Sequence, residues 1–87
     1  MNIEDVISFD EKEFVILDIV LYNKEKYLYC VQIDENEEPM GEYAYFKGIE
    51  ENGEYFVEEV EDRNILNLIV SMFTANLVDS INEEQDV

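Results

Sequence analysis

The sequence predicts an α+β domain, a four-stranded antiparallel β-meander with one C-terminal helix packed on a sheet face. Three observations lead there. Residues 14–60 hold short β-branched and aromatic runs separated by turn residues, the signature of strands. Asn52-Gly53 sits between two such runs and is the strongest short-range hairpin signal. Residues 62–81, DRNILNLIVSMFTANLVDSI, carry helical rather than strand periodicity. At 3.6 residues per turn, Ile65, Leu66, Ile69, Val70, Phe73, Ala75, Leu77 and Ile81 spread over roughly 240° of that helix. A helix lying on one sheet needs an apolar arc of little more than about 100°. This one has apolar surface to spare.

The first twelve residues form an N-terminal arm, in which Ile3, Val6 and Ile7 have i, i+3, i+4 spacing, so a helical turn and an irregular arm are both open. FVILDIVLY (14–22) is too short for a convincing helix and reads as the first strand. Asn23-Lys24-Glu25 is a turn, and 26–33 is its hairpin partner. Residues 34–41, DENEEPMG, form an acidic loop punctuated by Pro39 and Gly41. The third strand covers 42–49, with Gly48 as a candidate bulge or bend, and the fourth covers 54–60. Asp62 stands as the helix N-cap, where a carboxylate accepts otherwise unpaired backbone N–H groups. The tail 82–87, NEEQDV, is polar and expected to fray. The whole is one domain.

One detail of the first strand bears on function. Strict alternation puts Val15, Leu17, Ile19 and Leu21 on one face and Phe14, Ile16, Val20 and Tyr22 on the other, around Asp18. Antiparallel sheets covered on one side alternate apolar with polar. Both faces here are apolar, so the arm or another molecule is expected to cover the second.

Charge narrows the partners. Twenty-three acidic residues face five basic ones, giving −18 over 87 residues with no histidine. Such a surface repels nucleic acid, anionic membranes and copies of itself, and attracts basic proteins or cations. The hydrophobic share of 47% is nonetheless high enough for a packed globule rather than an acidic tail. A lone cysteine, Cys30, excludes an intramolecular disulfide and fits a reducing compartment. The N-terminus lacks the pattern of a signal peptide, and no apolar run reaches membrane-spanning length. A cytoplasmic location is the expectation.

The order FVILDIVLYNKEKYLYCV, acidic loop, EYAYFKGIEENGEYFVEEVED and C-terminal helix resembles the small acidic YrzB-like proteins of unknown function. Leu17-Asp18, Tyr27-Leu28, Asn52-Gly53 and Val60-Glu61-Asp62 carry the resemblance, which covers residues 13–80. It implies no activity and transfers no functional residues. The helix departs from the family, since only Asp79 is charged between Arg63 and Ile81.

Catalysis and metal binding find little support. Asp34, Asn36 and Glu38 occupy positions 1, 3 and 5 of a calcium loop, but positions 6 and 12, which need Gly and Glu, hold Pro39 and Tyr45. Glu58 and Glu59 are strand neighbours and point to opposite faces, which prevents a close acid–base pair. Cys30 lies mid-strand, where a buried inert thiol is the default. Asp18 is the odd carboxylate: facing the sheet edge or pairing with Lys24, Lys26 or Lys47 is its ordinary explanation, and a functional buried acid the lesser one. Six tyrosines fall in strands, and Tyr27 with Tyr29 and Tyr43 with Tyr45 form same-face pairs able to lie across adjacent strands, but the interleaved acids defeat a nucleic-acid stacking role.

The expectation is therefore a non-enzymatic protein without cofactor or metal that acts through protein–protein contact. Leu66, Ile69 and Phe73 pack on the sheet. A second helix stripe, near Val70, Leu77 and Ile81 or near Leu68 and Met72, meets a protein partner or a second copy in a homodimer. The alternative is an acidic nucleic-acid mimic, in which Asp34, Glu35, Glu37, Glu38 and Glu42 occupy the groove of a basic DNA- or RNA-binding protein. Direct contact with nucleic acid or membrane is not expected.

Overall fold

The structure, a computed structural model, describes the backbone of residues 1–85 and the side chains of residues 1–77. The strands are β1 (Val6–Phe9), β2 (Lys12–Tyr22), β3 (Glu25–Ile33), β4 (Pro39–Glu51) and β5 (Glu54–Glu59), followed by helix α1 (Arg63–Gln85). All pairings are antiparallel, in the order β1-β2-β3-β4-β5, and the sheet curls into a nearly closed barrel. The α+β class and the C-terminal helix agree with the sequence. The strand number does not.

The fifth strand comes from the N-terminal arm. Val6 and Ile7 pair with Val15 and Phe14 through a hairpin whose turn residues, Asp10 and Glu11, have φ values of 52° and 63°. The same left-handed pairs recur at Asn23-Lys24 (56°, 68°) and Asn52-Gly53 (53°, 82°). Positive φ at both central positions is the two-residue turn whose twist matches that of the strands. Only Asn52-Gly53 uses the favoured residue pair, so the turn at Asp10-Glu11 carries no glycine to announce it.

Curling gives the sheet an inner and an outer face, each with its own core. Phe14, Ile16, Leu28, Cys30 and Phe46 fill the barrel, joined by Ile7, Phe9, Ile19 and Val57. The Phe46 ring meets those of Phe9 and Phe14 at 5.0 and 5.1 Å. On the outer face, Val20 and Tyr27 pack with Ile69 and Phe73 of α1. Barrel closure and helix docking thus account for the two apolar faces of β2.

The strict alternation expected for β2 is broken by a bulge at Leu17, between the pairs Ile16–Cys30 and Asp18–Tyr29. One extra residue changes which side chains face inward. Phe14, Ile16 and Ile19 therefore point into the barrel, while Asp18 and Val20 join the helix side. Gly48 is not a bulge. It pairs regularly with Lys26 and Val57, and a Cβ there would lie 3.2 Å from the Cε of Met1. The irregularity of β4 is in the stretch pairing with Val31–Ile33, where Gly41 takes φ +78°. Pro39 and Gly41 belong to β4 rather than to the preceding loop, with Pro39 at the first strand position, where its missing N–H is tolerated.

Candidate functional site

Helix α1 starts where the sequence places it. The Asp62 Oδ1 accepts the backbone N–H groups of Asn64 (2.8 Å) and Ile65 (3.3 Å). From that cap, Ile65, Leu66, Ile69, Met72 and Phe73 fall on one side and meet the outer face of the sheet. Ile69 is fully buried and Phe73 nearly so. Phe73 sits over an aromatic row, 5.5 Å from the Tyr29 ring and 5.9 Å from that of Tyr45. Tyr29 stacks on Tyr43 and Tyr45 of the adjacent strand at 5.6 and 5.2 Å, whereas Tyr27, expected in the same row, stands opposite Lys47. Desolvation raises the Tyr29 phenol above its ordinary pKa, with Tyr45 and Tyr43 adding to the effect.

Beyond Phe73 the helix leaves a groove of about 510 Å³ against β2. Its apolar walls are Leu17, Val70, Phe73 and Leu77, and the rings of Tyr29 and Tyr45 contribute to its lining. Leu17 is 41% exposed and Leu77 62%. Asp18 and Asn76 supply its polar edge: the Asn76 Nδ2 donates to the Asp18 Oδ2 at 3.2 Å. The other carboxylate oxygen accepts the N–H of Ile19 at 2.9 Å. Asp18 therefore binds neither Lys24, Lys26 nor Lys47. The bulge at Leu17 turns it toward the helix, and Lys47 instead meets Glu25 at 2.7 Å. That contact raises the Lys47 pKa. Tyr27, whose hydroxyl donates to the same Glu25 at 3.4 Å, is raised mainly by desolvation.

The surplus helix residues divide. Val70 and Leu77 come together in the groove. Met72 is half-buried against the sheet, so it serves the fold, and Leu68 is exposed outside the groove. Ile81 lies outside the described side chains. Leu17 was legible only as a β2 apolar residue, because the bulge that exposes it has no signal in composition.

The acidic residues are scattered. Asp34 shapes its own loop, its Oδ1 accepting the N–H groups of Asn36 (2.8 Å) and Glu38 (3.0 Å). Glu35, Glu37 and Glu38 are exposed beside it, whereas Glu42 lies on β4 at a barrel mouth shared with Lys12 and Gln32. Glu50 and Glu51 occupy the opposite end of β4, whose 13 residues span about 40 Å at about 3.3 Å each, and Glu54 opens β5 opposite Glu51. Cys30 is fully buried in the barrel, and desolvation pushes its thiol up to about 12.

No helix is long and apolar enough to cross a membrane among the described residues. No family model matches the chain, and no curated protein or solved structure matches it.

Proposed function

We propose that this protein is a non-catalytic interaction module that binds a protein partner in the groove between α1 and β2. The observation supporting this reading is the exposure of Leu17 and Leu77 in the lining of that groove, beside Val70 and the buried Phe73. Exposed apolar walls around a few oriented polar groups are the usual make-up of a recognition surface. Asp18 and Asn76 give such a surface direction. The net charge of −18 weighs against a second copy as occupant, since two like fields must then approach. A partner of positive or neutral charge is favoured over the homodimer.

The nucleic-acid mimic is the alternative reading, and the same −18 is its support. The two readings separate by salt and by site. Binding through the groove survives high salt and is lost in Leu77→Glu. Binding as a mimic falls steeply with salt and is lost when Glu37, Glu38 and Glu42 become Gln. Kinship with the small acidic YrzB-like proteins, which we also propose, adds no activity to either.

A further inference from the structure

A second surface, independent of the groove, lies where the barrel fails to close. Among the described residues β5 pairs only with β4, and β1 only with β2. Each leaves one edge of backbone N–H and C=O groups without a strand partner. The two edges flank a cleft of about 650 Å³ lined by Met1, Ile7, Tyr55 and Val57 among others. An open edge is a template for another strand.

The side chains of β5 specify what that strand must be. The register pairs Gly48 with Val57 and Glu50 with Tyr55, placing Tyr55 and Val57 on the inner face. Glu54, Phe56 and Glu58 alternate with them on the outer face. Tyr55 and Phe56 are 55% and 47% exposed, an unusual apolar load for a free edge. Edges are commonly guarded by charge against unwanted pairing. The charged side chains of β5 itself are all acidic, with Lys47 of β4 standing opposite Glu58 and Glu51 opposite Glu54. A second copy would set Glu54 and Glu58 against further acids, in a chain already at −18, and like charges on adjoining strands repel. A basic strand meets the opposite situation.

We propose that the β5 edge accepts an extended, basic segment of a partner protein by strand addition. The segment alternates apolar residues, which face Tyr55, Val57 and the cleft, with Lys or Arg, which face Glu54 and Glu58. Main-chain hydrogen bonds supply affinity and the alternating side chains supply selectivity.

The test is an NMR titration of the ¹⁵N-labelled full chain with a capped peptide alternating valine and lysine. The expected result is perturbation and slowed hydrogen exchange of the amides from Tyr55 to Glu59. N-methylation of the peptide amides on its bonding edge should weaken binding roughly tenfold or more, as expected for loss of a few main-chain hydrogen bonds. Glu54→Gln with Glu58→Gln should weaken it several-fold, and a valine–glutamate peptide should not bind. Leu77→Glu should leave binding unchanged, which separates this site from the groove. The proposal is overturned if no binding occurs, if the N-methylated peptide binds as tightly, or if the perturbed amides cluster at Asp34–Glu38 instead.

Discussion

Asn76 reaches 58 positions back along the chain to donate a 3.2 Å hydrogen bond to Asp18, joining helix α1 to the bulge of β2. The link is exposed, so its value lies in holding the groove's edge rather than in stability. Asp18→Ala and Asn76→Ala should each cost about 1 kcal/mol or less in denaturant unfolding. Their double mutant should cost less than the sum of the two, because both remove the same bond. Full additivity would show that the two side chains do not interact.

Phe73 and Leu77 lie one turn apart on the same helix and should behave oppositely. Phe73→Ala removes a buried ring packed over Tyr29 and Tyr45, and is expected to cost about 3–5 kcal/mol. Leu77→Glu changes a largely exposed residue and should stay within about 0.5 kcal/mol of the parent protein. Thermal unfolding followed by circular dichroism checks both.

The hairpin turns offer stabilising changes. Glu11 and Lys24 hold φ values of 63° and 68° without being glycine. Left-handed backbone costs most L residues about 1–2 kcal/mol, which glycine avoids at some expense in chain entropy. Glu11→Gly and Lys24→Gly should therefore each raise stability by up to about 1 kcal/mol, measured by urea midpoint at unchanged slope.

Cys30 makes stability fall at alkaline pH. Burial pushes its folded thiol up to about 12 from an ordinary 9.0, so between those values the unfolded chain releases a proton that the folded chain keeps. The stabilisation is complete below about pH 9 and is lost as pH rises toward 12, at up to about 1.4 kcal/mol per pH unit. Tyr27 and Tyr29, raised from 10.0, act in the same direction. Cys30→Ala should flatten the first part of this decline in unfolding measured from pH 8.5 upward. In the native protein at neutral pH the thiol should resist alkylation until the barrel opens.

Self-repulsion among 23 acids is relieved by salt. The Debye length falls from about 30 Å at 0.01 M to about 3 Å at 1 M. The melting temperature should therefore rise by several degrees over that range, in calorimetry with a monovalent chloride salt. A flat response would show that the acids are spaced too widely to repel.

Much of this architecture is legible from short-range chemistry. Asn52-Gly53 announces its hairpin, Asp62 its helix, and the periodicity from Ile65 to Phe73 the face that docks. Three features depend on long-range geometry and leave no local mark. The turn at Asp10-Glu11 uses residues with no strong preference for it, which hides β1 inside the arm. The bulge at Leu17 follows from strand pairing and reverses the faces of half of β2. Barrel closure then covers a face that alternation alone leaves bare. The groove inherits this division: Val70 and Leu77 can be read from helix periodicity, whereas Leu17 and the Asp18–Asn76 bond cannot.

The most direct test of the groove is comparative capture of partners from cell lysate by the tagged parent protein and by Leu77→Glu, washed at high salt, with native mass determined for the eluates. The expected result is a protein retained by the parent chain at high salt and absent from the variant, with both baits folded by circular dichroism. The same proteins on both baits, or retention that disappears for the parent at high salt, would contradict it.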